Sequence, residues 1–347
     1  MPATPSSSST TMPPPGGTYR AMALTAAAAG TVQPIDLPHR PLRAGELRLQ
    51  VRACGVCRTD LHVVDGDLAT QGLPRVPGHE IVATVVEQGP GCSLHPLGTR
   101  VGVPWLANTC GHCRFCLRDH ENLCEEAVFT GWSVDGGYAE YTVAHEAYCF
   151  ALPDDYSDIE AAPLLCAGLI GYRALRMLPD DAGCVGLYGF GAAAHLIAQA
   201  AIAEGRRVFA FTRPGDQAAQ QLARSLGVHW AGDSTETPPA AMDGAILFAP
   251  AGELVPRALQ VVEPAGTVVC AGIHMSDFPS FPSRHLWRKR TLRPVATLTR
   301  QDALGFLAFA ARHRLRLATT EYPLADAARA LDDLRAGRIA GAAVLRA

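Results

Sequence analysis

The pattern of apolar residues changes character once along this chain, and that change limits the folds open to it. Up to about residue 153, apolar residues come in short runs broken by Gly and Pro, which predicts short β-strands. The clearest runs are 19–32, 46–53, 81–87, 100–103 and 138–143; in the second, Leu47, Leu49 and Val51 alternate with Arg48, Gln50 and Arg52. From about Ile159 strand and helix patterns take turns. A helical stretch at 159–178 leads to a strand at 185–188, an Ala-rich helix at 192–204, a strand at 208–211 and a helix at 217–226, with more strands at 244–248 and 267–271. Alternation at that pace predicts a parallel, doubly wound sheet. The chain therefore reads as α/β, with an antiparallel β-rich part first. Two amphipathic stretches, 302–312 and 325–336, close it. A length of 347 residues exceeds one comfortable core, so two domains are expected.

Composition narrows the function classes. A net charge of −3 with 48% hydrophobic residues excludes a disordered or polyanion-binding chain. No apolar run approaches the roughly 20 residues needed to cross a bilayer, so no membrane span is expected. Residues 1–18 are rich in Ser, Thr, Pro and Gly and lack the apolar stretch of a secretory signal, which predicts a floppy extension. Eleven cysteines in such a chain point to reduced thiols, metal ligation and the cytoplasm before disulfides.

Cys110, Cys113, Cys116 and Cys124 fall within fifteen residues, enough for one lobe of chain to close a tetrahedral zinc site. Four sulfurs leave no open position, so this zinc is structural. Beside Arg114 and Arg118 the lobe carries Asp119, Glu121, Glu125 and Glu126, a poor balance for a nucleic-acid-binding ribbon. A second set is scattered: Cys57, His79 with Glu80 next to it, and Cys166. Two thiolates and an imidazole leave one coordination position free, as a catalytic zinc requires. Cys54, Cys92, Cys149, Cys184 and Cys270 read as small buried hydrophobes, although Cys54 and Cys57 also have the spacing of a redox pair.

The strand at 185–188 runs into Gly189-Phe190-Gly191-Ala192-Ala193-Ala194 and then a long helix. Gly189 suits the tight turn, Gly191 lets backbone approach a pyrophosphate, and the helix start at Ala192 and Ala193 offers unpaired N–H groups. Ala194 replaces the third glycine of the pattern. The next strand ends in Thr212-Arg213 where an NAD-binding chain carries a carboxylate. A hydroxyl followed by a guanidinium suits a 2′-phosphate, which favours NADP over NAD. An arginine there also tolerates NAD.

Together these residues give a family likeness. From Cys54-Gly55-Val56-Cys57-Arg58-Thr59-Asp60-Leu61-His62 through Pro77-Gly78-His79-Glu80, the four-cysteine lobe, Asp135-Gly136-Gly137-Tyr138, Pro163-Leu164-Leu165-Cys166 and the nucleotide loop, the chain resembles the zinc-dependent medium-chain alcohol dehydrogenases. The likeness implies a GroES-like catalytic domain at 19–167, a Rossmann domain at 168–298 and a segment 299–347 that completes the first. It implies one catalytic and one structural zinc, dimers or tetramers built partly through the cofactor domains, and a small alcohol or aldehyde as substrate. Cys57, His79 and Cys166 match the catalytic ligands and Glu80 the adjacent carboxylate. Asp60 matches the acid that orients the ligand histidine, Thr59 and His62 the proton relay, and Arg58 a residue meeting the cofactor pyrophosphate. Trp105 falls where relatives line the substrate pocket, with Leu68 where some carry a second tryptophan. The expected reaction is interconversion of a primary alcohol and its aldehyde by hydride transfer. An NADPH-dependent reductase running in the reverse direction and a non-catalytic zinc-dependent redox sensor are the alternatives.

Overall fold

A computed structural model describes residues 17–69, 72–339 and 341–347. The extension expected at 1–18 lies, up to Gly16, outside the described residues, and Thr18 already belongs to a strand.

The first half is built on β-strands. A hairpin of Thr18–Ala23 (β1) and Gln33–Pro38 (β2) precedes the long strand Glu46–Val56 (β3). Helix Arg58–Asp65 (α1) follows directly, then Ile81–Gln88 (β4), Arg100–Val103 (β5), Leu106–Asn108 (β6), Val128–Phe129 (β7), Tyr141–His145 (β8) and Phe150–Ala151 (β9). Helices Asp158–Ala161 (α2) and Ala167–Arg176 (α3) lead out of it, separated by a 3-10 turn at Ala162–Leu165. The run expected to be one strand at 19–32 ends at Ala23, where the chain bends, and the run at 138–143 pairs as a strand only from Tyr141. The helical stretch at 159–178 is likewise broken at Cys166, whose backbone (φ −129°, ψ −70°) leaves the helical region.

The second half alternates as expected: Cys184–Tyr188 (β10), Ala192–Ala203 (α4), Arg207–Thr212 (β11), Gln217–Ser225 (α5), Trp230–Asp233 (β12), Met242–Leu247 (β13), Leu254–Val261 (α6), Val262–Cys270 (β14) and Thr291–Pro294 (β15). The sheet is parallel with order β12-β11-β10-β13-β14-β15, so the order reverses next to β10. Ligands in such sheets bind outside the carboxyl ends of the strands at that reversal, where the Gly189 loop stands. The short β12 and the edge strand β15 escape pattern reading: β15, Thr-Leu-Arg-Pro, offers almost no alternation.

Helix Arg300–Arg312 (α7), strand Thr319–Pro323 (β16), helix Ala327–Arg335 (α8) and strand Ala342–Arg346 (β17) end the chain. β17 pairs antiparallel with β3, and β16 parallel with β17, so the last residues extend the sheet of the first half. One apolar core joins the halves: Leu164, Leu165 and Leu169 pack with Leu196 and Ile197 of α4 and Phe306 of α7, all fully buried. Truncating any of these large side chains to Ala costs about 2–5 kcal/mol. That shared core holds the break at Cys166 between the two domains.

Candidate active site

α1 begins at Cys57, and Asp60 closes its first turn, its Oδ2 accepting from the Cys57 amide at 2.9 Å. The same carboxylate reaches beyond its helix. Its Oδ1 accepts from the Gly78 amide at 3.2 Å and from His79 Nδ1 at 2.9 Å, and Tyr138 Oη donates to Oδ2 at 3.1 Å. A helix cap thereby fixes a second loop. With Nδ1 turned to Asp60, Nε2 is the ring atom of His79 left to meet a ligand, and it lies 3.4 Å from Cys166 Sγ.

Cys57 Sγ and Cys166 Sγ are 3.7 Å apart. A tetrahedron with Zn–S bonds of about 2.3 Å has edges of about 3.8 Å, so the spacing fits a zinc ion held by both. Donor atoms of Cys57, His79, Glu80 and Cys166 all lie within 4.8 Å of one another. Hydrogen bonding between the two sulfurs draws the Cys57 thiol well below its usual range, with His79 assisting, and the same contact together with burial pushes Cys166 up. The two sulfurs share a proton that a divalent cation would displace. Burial opposes a charge on His79, yet Asp60 and Cys57 hold it well above its ordinary value. Burial likewise pushes the Glu80 carboxyl well up. Glu80 fits only because residue 55 is Gly: a Cβ there would stand 1.8 Å from Glu80 Oε2.

Thr59 is buried with Oγ1 3.7 Å from Cys57 Sγ. His62, three residues on and so on the same helical face, is half-buried, with Nδ1 2.7 Å from Asp67 Oδ2. Leu68 donates its amide to the His62 carbonyl at 3.0 Å, which ties the following turn to the helix.

Above the donors stands a wall of rings. Trp105 meets His79 edge-on at 5.0 Å and stacks on Phe129 at 5.3 Å and Trp132 at 6.0 Å. Trp132 is pinned by its indole N–H, which donates to the Ala69 carbonyl at 3.0 Å. Sequence reasoning found Trp105 and missed Phe129 and Trp132. Their signal was the aromatic pair in Phe129-Thr130-Gly131-Trp132, on a turn where buried packing has no need of two rings.

In the cofactor domain, Gly189 sits at φ +86° and a Cβ would meet the Ala249 amide at 2.8 Å, so both turn and packing demand glycine. At Gly191, the N-cap of α4, a Cβ would meet nothing within 4 Å: the space is open for a ligand over the first-turn amides of Ala192 and Ala193. Arg58 and Arg213 are exposed. Thr212 is buried. Its hydroxyl points inward, 3.4 Å from the Gly232 carbonyl and accepting from Gln220 Nε2 at 3.2 Å, and its side chain is not offered to a ribose phosphate.

The structural lobe is separate. Cys113 and Cys116 sulfurs lie 3.5 Å apart, Cys110 and Cys116 3.9 Å, and Cys124 Sγ accepts from the Cys110 amide at 3.5 Å. All four sulfurs are within 4.8 Å of one another, again the spacing of a tetrahedral zinc. Amide donation from Cys116 lowers the Cys113 thiol to about 7, whereas burial raises Cys124 to about 11.

Residues 43–154 match the alcohol dehydrogenase GroES-like domain. A probable alcohol dehydrogenase of Mycobacterium tuberculosis is 49% identical over 307 residues, covering 86% of this chain and 88% of the relative. Among solved structures, a cinnamyl alcohol dehydrogenase of Sorghum bicolor superposes with a TM-score of 0.86 at 25% identity, over 95% of this chain and 98% of that one. An acetophenone reductase of Geotrichum candidum in complex with NAD gives a TM-score of 0.84 at 26% identity, over 95% and 97%. Likeness of this extent to enzymes that act on alcohols, on a split fold with a nucleotide loop, leaves one conclusion: the chain belongs to the zinc-dependent medium-chain alcohol dehydrogenase family and is an alcohol oxidoreductase.

Proposed function

We propose that the protein interconverts a primary alcohol and its aldehyde, with a catalytic zinc held by Cys57, His79 and Cys166, a structural zinc held by Cys110, Cys113, Cys116 and Cys124, and NADP as the preferred hydride carrier. The observation that carries this reading is the donor geometry at Cys57, His79 and Cys166, with two sulfurs 3.7 Å apart and His79 Nε2 turned towards them. When bound there, zinc supplies a Lewis acid that makes a hydroxyl more acidic and a carbonyl more electrophilic. Asp60 holds His79 in the tautomer that can ligate and anchors Cys57 through its amide. Thr59 Oγ1 receives the proton released from a hydroxyl beside Cys57, and His62 discharges it through Nε2, since its Nδ1 is engaged by Asp67. The stacked rings of Trp105, Phe129 and Trp132 shed water from the approach and favour substrates with a flat or apolar body.

The case for NADP rests on Arg213 alone, because Thr212 is turned away. Arg213 binds a 2′-phosphate better than a bare ribose. Initial rates with NADPH and NADH on a panel of aldehydes, alongside metal content per chain, test the whole reading. Two zincs per chain and an NADPH preference that collapses in Arg213→Asp are expected; an NADH preference in the native enzyme refutes the assignment. The sheet of the cofactor domain ends on β15, with Trp287 74% exposed just before it, which supports a dimer or tetramer formed there. Light scattering in solution checks the mass. No helix among the described residues is long and apolar enough to cross a membrane, and all eleven cysteines are free, which supports the cytoplasm as compartment.

A further inference from the structure

His274 lies outside everything assigned so far. It belongs to the cofactor domain, in the turn that follows β14, and its backbone adopts φ +49°, a left-handed conformation that a side chain other than Gly rarely takes. Held there, the exposed His274 ring reaches the catalytic domain and lies against the His62 ring, with centroids 4.3 Å apart and planes tilted by 51°. Residues in strained backbone states persist where the surrounding structure imposes them, and they gather at functional sites. His62 is thus fixed from two sides, by Asp67 at its Nδ1 edge and by His274 across its face.

We propose that His274 is a positioning residue for the proton exit: it fixes the plane of the His62 imidazole from the opposite domain. This rests on the reading of His62 as the exit of the proton path. Asp67 faces the pair, its Oδ2 2.7 Å from His62 Nδ1. The ring that packs on His62 arrives with the cofactor domain. Proton discharge is thereby tied to the relative position of the two domains.

The test uses the zinc-loaded enzyme and three variants: His274→Ala, His274→Phe and His62→Ala. Each is assayed for kcat and kcat/KM in alcohol oxidation across the pH range of histidine titration, and for dinucleotide affinity by fluorescence. His274→Phe keeps a ring and removes the charge. It should retain kcat within about twofold, because a ring still packs on the His62 face. His274→Ala should lower kcat roughly three- to tenfold, a fraction of what a proton-transfer group supplies. Dinucleotide affinity should stay unchanged in both. If His62→Ala lowers kcat and His274→Ala does not, the proposal fails while the relay stands. If His62→Ala leaves the profile unchanged, the relay itself is wrong. A tenfold loss of dinucleotide affinity in His274→Phe would show that the residue acts through the cofactor, which also overturns the proposal.

Discussion

The two cysteine sites use the same ligand chemistry on opposite structural terms. The lobe of Cys110, Cys113, Cys116 and Cys124 is made by fifteen consecutive residues and lies near the surface, its sulfurs held by amides of its own loop. The other site gathers Cys57, His79 and Cys166 from segments up to 109 residues apart and lies beneath buried Glu80 and Asp60. A site built from contiguous chain can saturate its metal, since nothing else needs access. A site at the meeting of three segments leaves one side open to whatever enters between them. On the proposed reading the first stabilises and the second reacts, a difference that follows from connectivity as well as from ligand identity.

That contrast makes mutations at the two sites separable. Cys57→Ser should lower turnover by at least about 10³-fold, the loss of several kcal/mol of transition-state stabilisation at 1.36 kcal/mol per decade. The metal content should fall from two to one per chain with Tm nearly unchanged, and full activity in a metal-verified variant would break the contrast. Cys113→Ser should do the reverse. Loss of a structural zinc removes folding free energy, so Tm should drop by about 5 °C or more, while kcat of the folded fraction stays within about threefold. A hundredfold fall in kcat at constant Tm would show that the lobe takes part in catalysis. Asp60→Asn comes between these, with about 10- to 100-fold lost in activity or zinc affinity, because the amide can still accept from Gly78 but no longer fixes both Cys57 and His79 with a charge. Zinc titration against a chromophoric chelator reads that loss directly.

The same contrast explains what could be read before the structure. Contiguous features were legible: the lobe, the Gly189 turn and the helix after it all announce themselves within a dozen or so residues, because local spacing sets local geometry. Cys57, His79, Glu80 and Cys166 were grouped by their ligand chemistry, and the resemblance matched that grouping; no periodicity shows that β3, the loop before β4 and the break before α3 converge. Sequence gives Thr212 at a strand end and not the direction of its hydroxyl, which here turns inward to Gln220 and Gly232. His274 and Trp132 were invisible for a related reason: each acts through a partner more than sixty residues away, and neither sits in a repeating pattern. β16 and β17 are short, and only the pairing of β17 onto β3, with β16 added beside β17, gives them meaning.

The smallest expected effect bears on how independent the two sites are. Glu121 lies within the lobe, between Cys116 and Cys124, and reaches the start of α7, its Oε1 accepting from the Arg300 amide at 2.7 Å and its Oε2 from Arg300 Nη2 at 2.7 Å. Beside it, Asn122 Nδ2 donates to the Ala296 carbonyl at 2.6 Å. The lobe is therefore latched to the segment that leaves the cofactor domain. Glu121→Gln keeps an acceptor for the Arg300 amide and removes the charge from the guanidinium pair. Arg300 is 43% exposed, so solvent screens much of the pair and the loss should be only about 1 kcal/mol. Hydrogen exchange should quicken in lobe amides near Cys116 and Leu123, Tm should fall by a few degrees, and kcat and dinucleotide affinity should hold. If kcat falls as well, the latch transmits lobe position to the cleft, and the division between a stabilising site and a reacting one gives way to a single mechanical unit.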